Sequence, residues 1–309
     1  MAFILFSDCA VSRSPDLPGF DGEARAALRP LAVMHIPKTA GTSVTSGIAS
    51  ALKLPVDAWG FDRSLFGSFD GFATLDSEVL RTVHLAPSDL PDARLAMGHF
   101  SRSTLATRYP DAQLLTFLRE PLTRLLSYWV YWRCQSDEHL ALWGTWKDHV
   151  AISRGSLKSF LTDPRIACQT DNIVSRMLLW PHIGVGDGGF IPPEQDDALV
   201  EEAFQCLDSF AYSDVIENDE FNTRLQAWLG TPMTITHLNE TARVPDALHL
   251  RLDHELDAET FDLLDRRCRL DVRLWSALAE RRIKGVDIET LQHRTIARSI
   301  ARYSALLAP

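Results

Sequence analysis

The sharpest hydrophobic patterning falls between residues 31 and 134. Leu31-Ala32-Val33-Met34-His35-Ile36 is a short, mostly apolar run stopped by Pro37, as expected of a parallel strand buried on both faces. The small-residue segment Lys38-Thr39-Ala40-Gly41-Thr42 follows. After it, Val44, Ile48, Ala51 and Leu52 recur at helical spacing within Ser43–Leu54. Strand, tight loop and helix predict a βα unit. A second unit is predicted from the apolar run Leu114–Leu118, the turn Arg119-Glu120, and a helix from Pro121 to about Cys134 carrying Leu122, Leu125, Leu126 and Trp129. Pro121 suits a first helical turn, where its missing N–H would have no partner anyway. Residues 55–98 hold weaker elements, among them the run Arg94-Leu95-Ala96-Met97-Gly98. Beyond residue 150 the pattern is mainly helical. It is clearest over Glu259–Arg282, where Phe261, Leu264, Cys268, Val272, Trp275 and Leu278 share one face. Residues 1–30, with Pro15, Pro18, Gly19, Gly22 and Pro30, read as an irregular lead-in. With no repeat and no long linker, the expectation is a single domain over 31–309: an α/β parallel sheet flanked by helices, with a mostly helical C-terminal extension.

Composition narrows the classes. The chain has 309 residues, 46% hydrophobic and 23% charged, which excludes fibrous, coiled-coil and disordered readings. No window approaches the ~18 apolar residues of a membrane span. The apolar start Met1–Val11 lacks a basic flank and is broken by Asp8, so no signal peptide and a cytoplasmic location are expected. A net charge of -10 disfavours nucleic acid or an anionic membrane as partner, yet leaves room for a local basic pocket. Lysine is scarce (Lys38, Lys53, Lys147, Lys158 and Lys284), so one inside a loop motif is less easily background. The five cysteines are scattered without a CxxC pair, which predicts reduced thiols and no zinc site.

His35-Ile36-Pro37-Lys38-Thr39-Ala40-Gly41-Thr42-Ser43 carries the most chemistry. A strand ending in a small-residue loop that opens a helix aims several backbone N–H groups and a helix N-terminus at one point, a geometry that binds phosphate or sulfate. Gly41 permits close approach, Thr39, Thr42 and Ser43 add hydroxyls, and Lys38 adds a full charge. The order is not that of GxxxxGK[ST], because the lysine comes first and no glycine opens the loop. The alternative is a plain capped helix, with Thr42 or Ser43 as N-cap and Lys38 in solvent. About 80 residues on, Arg119 at a strand end and Ser127 two turns into the next helix can converge on a second anion, the guanidinium offering a forked pair of donors. Its alternative is an ordinary helix with an N-terminal proline. Between the two segments lies Met97-Gly98-His99-Phe100, where an imidazole titrating near neutrality would serve as a general base or would cap a strand. His35, inside the expected strand, is read as packing or orienting.

Pro37-Lys38-Thr39-Ala40-Gly41-Thr42-Ser43 resembles the 5′-phosphosulfate loop of sulfotransferases that use 3′-phosphoadenosine 5′-phosphosulfate (PAPS), closest to the carbohydrate-type group of heparan and chondroitin enzymes and their bacterial relatives. Leu118-Arg119-Glu120-Pro121-Leu122-Thr123-Arg124-Leu125-Leu126-Ser127-Tyr128 resembles the second signature of that family. The resemblance covers roughly residues 31 to 280 and is sharp in these motifs and in Gly98-His99. It implies a P-loop-like sheet and a reaction that moves a sulfuryl group from PAPS to a hydroxyl. It implies that Lys38 contacts the bridging oxygen and leaving 5′-phosphate, that Thr39, Ala40, Gly41, Thr42 and Ser43 hold the phosphosulfate, and that Arg119 and Ser127 hold the 3′-phosphate. His99 would be the general base. The bisphosphate PAP would be the product, no metal would be required, and the acceptor would be a small alcohol or an oligosaccharide. More loosely, Asn172 and Arg176 resemble a family pair near the donor and acceptor, and Asn239-Glu240-Thr241 a late nucleotide-side element.

Other features stay double-edged. Trp129, Trp132, Trp143, Trp146, Tyr128 and Tyr131 read as core or as a stacking platform for a sugar. Gly184–Gly189 reads as a lid or a surface loop, and Arg266, Arg267 and Arg269 as a solvated face. The competing functions are a small-molecule kinase using ATP and Mg²⁺ on an atypical phosphate loop, and a catalytically inactive nucleotide-binding protein.

Overall fold

The computed structural model describes residue 26 and residues 29–235 and 244–309. Most of the expected lead-in, Cys9 and the segment Asn239-Glu240-Thr241 lie outside the described residues. Six strands are numbered in chain order: β1 Leu31–Met34, β2 Phe61–Asp62, β3 Val83–His84, β4 Leu95–Gly98, β5 Gln113–Leu118 and β6 Tyr212–Val215. Four make a parallel sheet in the order β4-β1-β5-β6, and β2 pairs with β3 in a small parallel ribbon. The α/β parallel sheet flanked by helices, and the helical C-terminal region, are therefore as expected.

Side chains alternate across the sheet, and both faces are covered. Leu31, Val33, Leu95, Met97, Leu115 and Phe117 point to one face, where helix α1 (Gly41–Leu52) and the helix Phe221–Leu229 supply Val44, Ile48 and Trp228. Ala32, Met34, Ala96, Leu114 and Leu118 point to the other, against the helices Pro121–Arg133 and Ala258–Arg282. Burial on both sides is why β1 and β5 read as unbroken apolar runs rather than alternating ones. The weak run at Arg94–Gly98 proves to contain a full strand. It is held between β1 and the extended segment Asp57–Asp62, whose Ala58 and Phe61 bridge to Ala96 and His99.

β1 ends at Met34, so His35 stands just beyond the strand, and α1 begins at Gly41, two residues earlier than expected. The Pro121 helix runs to Arg133. In the helix Ala258–Arg282 the expected face holds, with Leu264, Cys268, Trp275 and Leu278 buried, and the helix Ile288–Leu307 follows it. Both pack against the Pro121 helix. The arginines of that region are not all a solvated face. Arg267 donates to the Leu161 carbonyl and lies over the Phe190 ring, and Arg269 pairs with Asp196; of the three only Arg266 is exposed. No described helix is long and apolar enough to cross a membrane. Cys134, Cys168, Cys206 and Cys268 are free thiols.

Met34 is in register with Gly98 on one side and Thr116 on the other. The chain visits β4 on one flank of β1 and then β5 on the opposite flank, so a crevice opens at the carboxyl ends of these strands, where open α/β sheets bind ligands.

Candidate functional site

A cavity of about 460 Å³ lies over those carboxyl ends. Its walls come from the segment after β1 (His35, Lys38, Ala40 to Ser43), the residue after β4 (His99), the residue after β5 (Arg119), one face of the Pro121 helix (Ser127, Tyr131) and the last helix (Arg302). The sheet thus collects side chains more than 80 positions apart along the sequence, because parallel strands deliver their ends to one edge.

The loop after β1 is wound tightly. Lys38 and Ala40 both take left-handed backbone angles, φ +67° and +61°, a conformation that non-glycine residues adopt rarely and that alternates to form anion-binding concavities. Ala40 is the N-cap of α1 and no side chain caps the helix, so neither Thr42 nor Ser43 plays the capping role. The N–H groups of residues 39–42 have no acceptor among the described residues. The Thr39 hydroxyl turns away, donating to the Ile36 carbonyl at 2.8 Å, so Thr39 contributes only its backbone. Gly41 is required by packing: a Cβ there would stand 1.6 Å from Nε2 of His35.

His99 Nδ1 lies 2.6 Å from the His35 carbonyl oxygen. A carbonyl only accepts, so Nδ1 carries the proton and Nε2 keeps its lone pair. The imidazole is clamped between the His35 ring, 4.3 Å away, and the Phe61 ring, 5.3 Å away and nearly parallel. Burial, helped by the Lys38 charge, lowers its pKa to about 4 despite the opposing hydrogen bond. The His35 imidazole is likewise pushed well below the usual range, chiefly by burial. Both rings are neutral at physiological pH.

The Lys38 ammonium sits 4.0 Å from the centroid of the Tyr131 ring. Burial first, then the nearby Arg119 charge, brings its pKa down to about 8. Arg119 Nη1 donates to the Lys38 carbonyl at 3.1 Å, locking strand end to loop. Ser127 lines the same wall, and its hydroxyl has no partner among the described residues. Arg302 adds a third cation from the last helix, and no aspartate or glutamate is among the lining residues. In a chain of net charge -10 this is a concentrated electropositive patch.

Glu120 explains how Arg119 and Ser127 keep their places. Fully buried as N-cap of the Pro121 helix, its carboxylate accepts from the N–H groups of Leu122 (3.2 Å) and Thr123 (2.8 Å) and from Gln292 (3.1 Å). Its own N–H donates to Glu217 at 2.9 Å.

Asn172 and Arg176, expected beside the donor and acceptor, are not brought to the cavity. Arg176 is buried, pairing with Asp171 at 2.9 Å and donating to the carbonyls of Val185, Gly186 and Gly189. Asn172 takes φ +49° and accepts from the Leu270 N–H at 2.8 Å. Their bonds pin the Gly184–Gly189 loop near the helix Ala258–Arg282, and that loop does not line the cavity. Trp129 is core, whereas Trp132, Trp143, Trp146, Tyr128 and Tyr131 line the cavity. Arg302 and Phe61 escaped sequence reasoning: nothing local marks either. Gln135, two residues past the end of the Pro121 helix, was missed as well, whereas Tyr131, already singled out, lies one turn from Ser127 on the same helix face.

No group of three or more His, Cys, Asp or Glu side chains among the described residues is arranged to hold a metal ion. No protein-family model matches this chain, and no curated protein does.

Proposed function

We propose that the protein is a sulfotransferase with a P-loop-like core that binds PAPS in this cavity and sulfates a hydroxyl acceptor. The observation that carries the reading is the meeting, in one cavity without a lining carboxylate, of unpaired loop N–H groups, Lys38, Arg119 and an imidazole with a free Nε2. These donors fit the two anionic ends of a 3′-phosphorylated phosphosulfate, and the sequence resemblance gives the order: the loop for the phosphosulfate, Arg119 and Ser127 for the 3′-phosphate.

The donor supplies a sulfuryl group, whose sulfur gains the acceptor oxygen as its bond to the 5′-phosphate oxygen breaks, leaving a sulfate ester and PAP. The chain's own part is electrostatic and positional. His99 Nε2 takes the acceptor's hydroxyl proton. Lys38 and the N–H groups of residues 39–42 hold the negative charge that collects on the departing phosphate. Occupation of the loop by an anion also raises the basicity of His99, because it offsets the Lys38 charge that depresses it.

Thermal unfolding with PAP against unfolding with ATP and Mg²⁺ tests the reading. Ligand at 100 times its dissociation constant adds about 2.7 kcal/mol, a rise of a few degrees. Stabilisation by PAP without magnesium is expected. Stabilisation by ATP–Mg²⁺ alone would make the protein a kinase, and no response in folded protein would remove the anion site.

A further inference from the structure

The cavity lining has two unlike parts. Lys38, Arg119 and the α1 loop make one electropositive. The other is lined by Phe61, Leu65, Phe66, Leu140, Trp143 and Trp146, and no ionised side chain stands among them. The rings there interlock edge to face, Phe61 on Trp143 at 5.5 Å and Phe66 on Trp146 at 5.1 Å. The polar side chains nearby are few, and one atom of each is engaged. Gln135 donates to the Tyr131 carbonyl at 2.9 Å, Gln169 to the Leu65 carbonyl at 2.7 Å, and His139 Nε2 accepts the Trp143 indole N–H at 3.2 Å.

A saccharide brings several hydroxyls per ring, and each one buried without a partner lowers affinity about tenfold or more. A flat hydrocarbon body meets no such penalty and gains from aromatic contact. Phe61 links these rings to the chemistry: its ring stacks on His99, so a molecule packed beside Phe61 lies close to the imidazole. Resting on the sulfotransferase reading, we propose that the acceptor is an uncharged hydroxyl compound with an aromatic, hydrocarbon-rich body, a phenol or aryl alcohol, and not a saccharide. The weakly basic His99 suits a phenolic proton, which is more acidic than that of a sugar hydroxyl.

The test uses 2-naphthol and cellobiose as probes. Calorimetric titration onto the protein saturated with PAP is expected to show 2-naphthol binding and no cellobiose binding. Turnover with PAPS is expected to give 2-naphthol a kcat/KM at least 100-fold above cellobiose. Trp143→Ala is expected to raise the KM for 2-naphthol about tenfold with PAP affinity unchanged. Failure of 2-naphthol to bind the PAP-loaded protein, or preferential turnover of the saccharide, overturns the inference while leaving the donor site intact. Failure of PAP itself to bind overturns the donor reading, and the inference with it.

Discussion

The His99 imidazole hangs from the main-chain carbonyl of His35, Nδ1 to oxygen 2.6 Å. The bond joins the carboxyl ends of two adjacent parallel strands, β1 and β4, whose register places Met34 beside Gly98. It decides which ring nitrogen is basic, and it does so with a backbone group that no substitution at His35 removes.

If His99 is the base proposed above, its loss gives the first expectation. His99→Ala should lower kcat by 10²–10⁴-fold, the usual cost of removing a general base, with PAP still stabilising the protein nearly as in the wild type. Transfer surviving within about tenfold of wild type would assign the proton to another group.

The pH profile follows from two groups. His99 must be neutral to accept a proton, so kcat/KM falls as pH drops through its pKa of about 4. Lys38 must be charged to hold the anion, so kcat/KM falls as pH rises through about 8. The profile is a bell between those limbs, since kcat/KM reports the free enzyme. The kcat limbs should both lie higher, because bound anion favours the protonated forms. An acid limb near 6.5 in kcat/KM would contradict the burial of His99.

Arg119 can be separated from Lys38 by ligand choice. Arg119→Met removes a charged donor, a change of about 1.5–3 kcal/mol. It should weaken PAP some 10- to 100-fold and adenosine 5′-phosphate, which lacks the 3′-phosphate, distinctly less, the smaller loss coming from release of the Lys38 carbonyl. Equal losses for both nucleotides would place Arg119 on the 5′ side.

Gly41→Ala forces the His35 ring out of the space it now fills, and the destabilisation expected of such overpacking is about 1–3 kcal/mol, with PAP affinity reduced. His35→Ala in the same chain clears the clash, so the double variant should be more stable than additivity allows. Chemical denaturation of the four chains closes the cycle; strict additivity would show that the ring and the glycine do not press on each other.

The elements carrying the Lys38 and Arg119 segments were legible locally. Leu31–Met34 and Leu114–Leu118 are buried on both faces, so their apolar runs are continuous, and Pro37 and Pro121 follow closely on them. The loop residues Lys38 to Ser43 and the pair Arg119 and Ser127 could be singled out for the same reason: each lies where a strand gives way to a helix. Asn172 and Arg176 show the limit. A polar pair one helical turn apart reads alike whether it faces a ligand or a buried Asp171, and only packing distinguishes the two.

The sequence by itself determined the strands, the helices that follow them and the chemical groups set at their junctions, because those depend on neighbours a few residues away. The tertiary structure decided which groups meet. Parallel pairing in the order β4-β1-β5-β6 put Lys38, His99 and Arg119 around one cavity. The last helix then brought Arg302 to it from the far end of the chain, and burial moved Lys38 and His99 away from their ordinary protonation ranges. Desolvation and strand order are properties of the packed whole, and no window of sequence contains them.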